Sequence, residues 1–142
     1  MILLDTNVIS ELVKPTPNPA VVAFLRRTIP ETMFTSTVCE AEMRYGLARL
    51  PPGRRKADLT KRIAAFFADS FSERILHFDH ASAEVYGELR AVRDAAGRPI
   101  SVQDAMIAAT ASAYGTAIAT RNVGDFVGCG VEIVDPWQPV DL

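Results

Sequence analysis

Cysteine is scarce in this 142-residue chain: Cys39 and Cys129 lie far apart, match no metal-ligand spacing and are too few for a disulfide framework. Both are read as reduced, structural thiols. No apolar run approaches the ~18 residues that a membrane-spanning helix needs. Asp5 also interrupts the N-terminus too early for the apolar stretch of a signal peptide, so the expected location is the cytoplasm and no membrane partner is expected. Positive charge is not in excess. A net charge of −2 and a pI near 5.7 argue against a passive electrostatic nucleic-acid binder. They do not exclude a nuclease, because divalent cations can supply the positive charge that meets phosphate. Lysine is limited to Lys14, Lys56 and Lys61, and histidine to His77 and His80, whose spacing suggests no ligation. Repeats, low-complexity tracts and long linkers are absent as well, so residues 1–142 are expected to form one domain, with 49% apolar content for one core.

What is present alternates between short apolar runs and helical patterns. Ile2 to Leu4 suits a buried parallel strand ending at Asp5, and Val8, Ile9, Leu12 and Val13 follow at helical spacing until Pro15 intervenes. Asn18 can cap, and Pro19 open, a helix reaching about Arg27. Met33 to Ser36 resembles a second strand, and a helix from Thr37 runs to Pro51-Pro52-Gly53. A charged helix begins at Arg54, with Ile63, Phe66 and Phe67 on its buried side. Arg74 to Phe78 is a candidate third strand. Val85, Leu89 and Val92 make an apolar stripe over 81–96, with Gly97 as C-terminal cap. Ser101 opens an alanine-rich helix ending near Tyr114-Gly115. Ala117 to Ala119 is a fourth strand, a turn runs through Gly124, Asp125 and Phe126, and Val131 to Val134 is a last strand. This alternation predicts an α/β fold, a three-layer α/β/α sandwich around a mainly parallel sheet of roughly five strands.

In such folds function gathers outside the carboxyl ends of the strands, where Asp5 and Thr120-Arg121-Asn122 are expected. Each polar residue there has an ordinary explanation too. Asp5 alone fits a helix N-cap. Thr37-x-x-Glu40 fits a capping box, which gives Glu40 a structural role. Glu42 has no such explanation, and Gly46 on its face leaves room for a ligand or a close neighbour. Ser101-x-x-Asp104 is a capping-box variant, yet Asp104 shares its face with Ile107, Ala108 and Ala111 and therefore points toward packed structure. Asp125 and Asn122 fit an ordinary turn. Jointly the acids point to a hard divalent cation, because carboxylates clustered without one repel each other. Phosphodiester hydrolysis is the chemistry best served by such a site.

The segments Leu4-Asp5-Thr6-Asn7-Val8-Ile9, Glu42-Met43-Arg44-Tyr45-Gly46, Asp104 to Thr110 and Ala119-Thr120-Arg121-Asn122-Val123-Gly124-Asp125-Phe126 resemble the PIN-domain family. They are most similar to VapC-type toxins of toxin–antitoxin pairs, in the FitB-like branch, as is the Asp135-Pro136-Trp137 ending. The resemblance implies a Mg²⁺- or Mn²⁺-dependent endoribonuclease, restrained by a small DNA-binding antitoxin of the VapB type and assembling as a homodimer. Asp5, Glu42 and Asp104 correspond to the metal-binding acids. Thr6, Asn7 and Thr120 match supporting positions. Some relatives carry an aspartate where Asn122 stands, while many carry the Thr-Arg-Asn-x-x-Asp-Phe form seen here, so the resemblance gives the fourth acidic role to Asp125, with Asn122 as a neutral support.

The resemblance leaves two alternatives: a non-catalytic RNA-binding or interaction module of the same fold, and a solitary RNA-processing nuclease. An aspartyl-phosphate phosphotransferase fails on Asn7, which stands where a second acid would be needed, and on the absence of a lysine after the later strands. The basic stretch holding Arg49, Arg54, Arg55, Lys56, Lys61 and Arg62 is read as a solvated helical face.

Overall fold

The computed structural model describes residues 1–139; the last three positions of the expected 1–142 domain lie outside the described residues. In chain order the elements are β1 (Ile2–Leu4), α1 (Thr6–Leu12), α2 (Pro19–Arg27), β2 (Met33–Ser36), α3 (Thr37–Ala48), α4 (Arg54–Ala65), β3 (Ile75–Leu76), α5 (His80–Ala95), α6 (Val102–Tyr114), β4 (Ala117–Ala119), α7 (Val123–Phe126) and β5 (Ile133–Val134). A π-helical turn, Phe66–Ser70, extends α4 and packs Phe66 against Phe71 with ring centroids 4.4 Å apart. Those phenylalanines belong to the core. Both cysteines are free and buried, and burial pushes the Cys39 thiol up to about 12, which keeps it protonated and inert.

The five strands form one sheet in the order β3-β2-β1-β4-β5, and every neighbouring pair is parallel. Parallel neighbours need crossover helices, and right-handed crossovers place helices on one face while strand order advances one way and on the other face when it reverses. Order advances from β1 to β3 and then jumps back to β4. The helices α1 to α4 therefore cover one face and α5 to α7 the other, giving the expected three layers. Strands this short work because they are buried on both sides: Leu3, Leu4, Ile118 and Ala119 have no exposed surface.

Local chemistry sets several boundaries as expected. Asn18 accepts from the Ala20 N–H at 2.8 Å and Pro19 starts α2. Gly97 adopts φ +70 beyond α5, where the Arg98 N–H reaches the Arg93 carbonyl and the Gly97 N–H reaches that of Asp94, the paired bonds of a left-handed helix stop.

Other boundaries differ. The cap of α3 is Ser36, whose hydroxyl accepts from the Cys39 N–H at 3.1 Å, not Thr37. Glu40 accordingly does not reach back to the first turn and instead pairs with Arg44 one turn on, at 2.7 Å. The turn through Gly124 to Phe126 is wound into the single-turn helix α7. On α5 the apolar stripe does not continue to Val92, which is 60% exposed. The buried arc passes from Leu89 to Arg93, four residues on, and an arginine takes the inward position.

Candidate active site

Order reverses between β1 and β4, and their C-terminal ends deliver Asp5 and Thr120 side by side. The strand ladder runs right up to both residues: the Asp5 N–H donates to the Ala119 carbonyl at 3.0 Å and the Thr120 N–H to the Val134 carbonyl at 2.9 Å. Asp5 is both the N-cap of α1 and something more. Its Oδ1 accepts from the Thr6 N–H at 2.8 Å, while its Oδ2 accepts from the Thr120 hydroxyl at 2.9 Å. Asn7 ties the two strand ends together. Its Nδ2 donates to Thr120 Oγ1 at 3.1 Å and its Oδ1 accepts from the Arg121 N–H at 3.2 Å.

Glu42 on α3 and Asp104 on α6 come to the same cleft of about 420 Å³ as Asp5, Thr6, Asn7 and Asn122. Burial lifts the carboxyl of Asp5 above its ordinary value, and the charges of Asp104 and Asp125 raise it further against the lowering effect of its hydrogen bonds. Glu42 is raised first by burial, then by Asp5 and Asp104. Asp104 is raised by burial and, after the opposing bond at Ser101, by Asp125. Ser101 caps α6 by accepting the Asp104 N–H at 3.1 Å, and its hydroxyl also lies close enough to the Asp104 carboxylate to oppose part of the rise. Gly46 has open space around it: an added Cβ meets nothing within 4 Å.

The donor set fits a hard divalent cation. All candidate ligands are oxygens, and buried Glu42 Oε1 and Thr6 Oγ1 have no hydrogen-bond partner. Thr6 lies near enough to Glu42 to lower its pKa slightly without making that bond. Among the described residues no three acidic, histidine or cysteine side chains are drawn tightly around one point. The acids face a common cleft, and mutual repulsion opposes closer approach.

Asp125 is exposed on α7, outside the residues that line the cleft, and reaches the site through its charge on Asp5 and Asp104. Asn122, at the start of α7, donates its N–H to Thr120 Oγ1 at 3.1 Å. Sequence reasoning overlooked what holds this segment. Buried Arg93 donates to the carbonyls of Asp125 at 2.9 Å, Val127 at 2.8 Å and Arg98 at 2.7 Å, and its charge lowers Asp104. The only sign was an arginine four residues after Leu89. Four more residues of the cleft were also missed as site residues: Ser10, Glu11, Lys14 and Trp137. Glu11 is buried and held below the usual carboxylate range chiefly by Lys14, 2.5 Å away.

Residues 2–126 match the PIN domain family model. Over 139 residues the chain is 40% identical to the VapC ribonuclease Y4jK of Sinorhizobium fredii, covering 98% of this chain and 99% of the relative. It is 41% identical to the toxin FitB of Neisseria gonorrhoeae, covering 97% and 99%. The solved structure of FitAB bound to an IR36 DNA fragment superposes with a TM-score of 0.91 at 40% identity, covering 99% of both chains. With the acids gathered at the switch point of an all-parallel sheet and matches of this extent, the chain belongs to the PIN-domain family and, within it, to the VapC and FitB type of toxin.

Proposed function

We propose that this chain, acting as one nuclease domain, is the toxin of a type II toxin–antitoxin pair and an endoribonuclease dependent on Mg²⁺ or Mn²⁺. The observation that carries this reading is the meeting of Asp5, Glu42 and Asp104 in one cleft, each with a carboxyl raised by burial and by neighbouring acids. Those three would hold the cation. The chemistry it supplies there is activation of water near neutral pH and relief of charge on the phosphodiester.

The chain's own residues do the positioning. The Thr120 hydroxyl orients Asp5 Oδ2, Asn7 fixes Thr120, and the Thr6 N–H holds the other carboxylate oxygen. Asp125 contributes the fourth acidic charge at the rim, and Asn122, which cannot ionise, steadies Thr120 from the backbone. The likeness to FitAB supports a small VapB-type antitoxin as partner. A homodimer, an RNA substrate and a cytoplasmic location belong to the same reading. Among the described residues no helix is long and apolar enough to cross a membrane.

The test is cleavage of RNA by the purified protein. Activity with Mg²⁺ or Mn²⁺, its loss in EDTA, and near-abolition by Asp5→Asn and by Asp104→Asn are expected. Unchanged cleavage in both variants would sink the mechanism.

A further inference from the structure

Beside the acids, the cleft carries an aromatic face and a cation that the site described above does not use. Trp137 and Arg121 both line it, and the Arg121 guanidinium carbon lies 5.2 Å from the centre of the indole ring. Trp137 stands on a fixed turn: its backbone N–H donates to Asp135 Oδ1 at 2.9 Å, the Gln138 N–H donates to the Asp135 carbonyl, and Pro136 is fully buried. Trp137 is half-buried and packs against the core, so it is held in place while part of it stays accessible. Arg121 is anchored by its backbone to Asn7 and is otherwise exposed. Among the described residues no carboxylate lies within ion-pair distance of it, whereas the other cation of the cleft, Lys14, is already paired with Glu11.

We propose that Trp137 and Arg121 form a nucleotide-binding subsite beside the acidic centre, in which the indole stacks a base of a single-stranded RNA and the guanidinium holds a neighbouring phosphate. The proposal rests on the ribonuclease reading above and adds to it what positions the strand. Magnitudes support an exchange of partners. A guanidinium on an exposed indole is worth roughly 2- to 5-fold in an equilibrium constant, whereas a base stacked on an aromatic side chain is worth roughly 5- to 150-fold. An arriving base therefore displaces Arg121 from the indole and frees a planar, multidentate donor beside the strand. A chain of net charge −2 whose cleft is lined by Asp5, Glu11, Glu42 and Asp104 also needs a local cation to accept a phosphate there.

Trp137 is the only tryptophan in the chain, so intrinsic fluorescence reports this residue alone. The protein is titrated in EDTA with a short single-stranded RNA, with the same RNA annealed to its complement, and with single-stranded DNA of the same sequence. Quenching by the single-stranded RNA and not by the duplex is expected. Equal quenching by the DNA supports a subsite that reads the stacked base rather than the sugar.

Trp137→Ala is expected to weaken binding by roughly 5- to 100-fold and to raise KM far more than it lowers kcat, with Trp137→Phe restoring most of the affinity. Arg121→Ala is expected to reduce the salt dependence of binding by about 0.7 in log–log slope. An RNA that is cleaved yet never quenches Trp137 overturns the subsite, leaves the ribonuclease reading intact and assigns this lip to a protein partner. Unchanged KM in a folded Trp137→Ala protein overturns it as well. Quenching by RNA without cleavage under any divalent metal has the opposite meaning: the subsite stands and the ribonuclease reading fails.

Discussion

Thr120 Oγ1 donates to Asp5 Oδ2 at 2.9 Å across the point where strand order reverses, joining residues 115 apart in the chain. The same hydroxyl accepts from Asn7 Nδ2 and from the Asn122 N–H, each at 3.1 Å. One donor and two acceptor sites are all that a hydroxyl has, so Thr120 is fully engaged and has no exposed surface. The acid that opens the site is thereby held in one orientation by a group from the other half of the sheet.

Thr120→Val keeps the shape and removes all three bonds. It leaves the Asn122 N–H without its acceptor and the Asn7 amide with only the longer bond to Asp5 Oδ2 at 3.5 Å, at an expected cost of about 1–3 kcal/mol in unfolding free energy by urea denaturation. RNA cleavage should fall as well, because Asp5 loses its orienting donor. A stability within 0.3 kcal/mol of the unsubstituted protein, taken as about the resolution of such measurements, contradicts this account.

Removal of a charge from the acidic cluster should separate stability from activity. Asp104→Asn is expected to leave the metal-free protein as stable or slightly more stable at neutral pH, since burial and the charge of Asp125 both disfavour the ionised form. Calorimetry on the same variant that has lost cleavage makes the check.

The pH dependence follows from the directions of the shifts. Asp5, Glu42 and Asp104 have folded pKa values raised above the ordinary 3.8, 4.5 and 3.8. Between the unfolded and folded values the native state holds more protons, so these three groups favour folding increasingly as pH falls through that window. Glu11 and Asp79 are lowered, by Lys14 and by the Ser82 backbone respectively, and their contribution is lost only at more acidic pH. The metal-free protein should therefore gain stability from these three groups as pH falls from neutrality toward the ordinary carboxyl range, followed by chemical denaturation across that interval. A flat profile argues against a repelling acidic cluster.

Cation binding should be visible without any substrate. Mn²⁺ at about 100 times its Kd is expected to stabilise the protein by about 2.7 kcal/mol, reversibly with EDTA. Asp5→Asn should abolish that gain, and an equal gain in the variant places the bound ion elsewhere.

Arg93 is expected to matter for Asp125 through the backbone. Arg93→Met strands three carbonyls and should cost about 2–3 kcal/mol, with faster amide exchange over residues 125–129. Asp125→Asn should instead preserve stability and lower cleavage by about tenfold, the scale of an outer-shell contribution. A loss from Asp125→Asn as large as that from Asp5→Asn would make Asp125 a direct ligand.

Local chemistry wrote much of this protein legibly into its sequence. Pro15, Asn18 with Pro19, Ser101 and Gly97 mark helix ends because each acts on backbone groups within a few residues. The alternation of short apolar runs with helical patterns determined the α/β class, and the quoted motifs singled out Asp5, Glu42 and Asp104, which the fold brings to one cleft. Local signals also misled where two neighbours compete: Ser36 and Thr37 are both good caps, and only the exit direction of β2 selects Ser36. Whether Val92 or Arg93 turns inward depended on the Arg98 carbonyl just past α5 and on two carbonyls beyond β4, those of Asp125 and Val127, which no periodicity contains. Tertiary structure alone decided that Thr120 reaches Asp5, that Asp125 stays at the rim, and that Arg121 lies on Trp137. Each of those relations joins residues whose spacing in the chain carries no information, because strand order, set by burial of the whole sheet, is what brings them together.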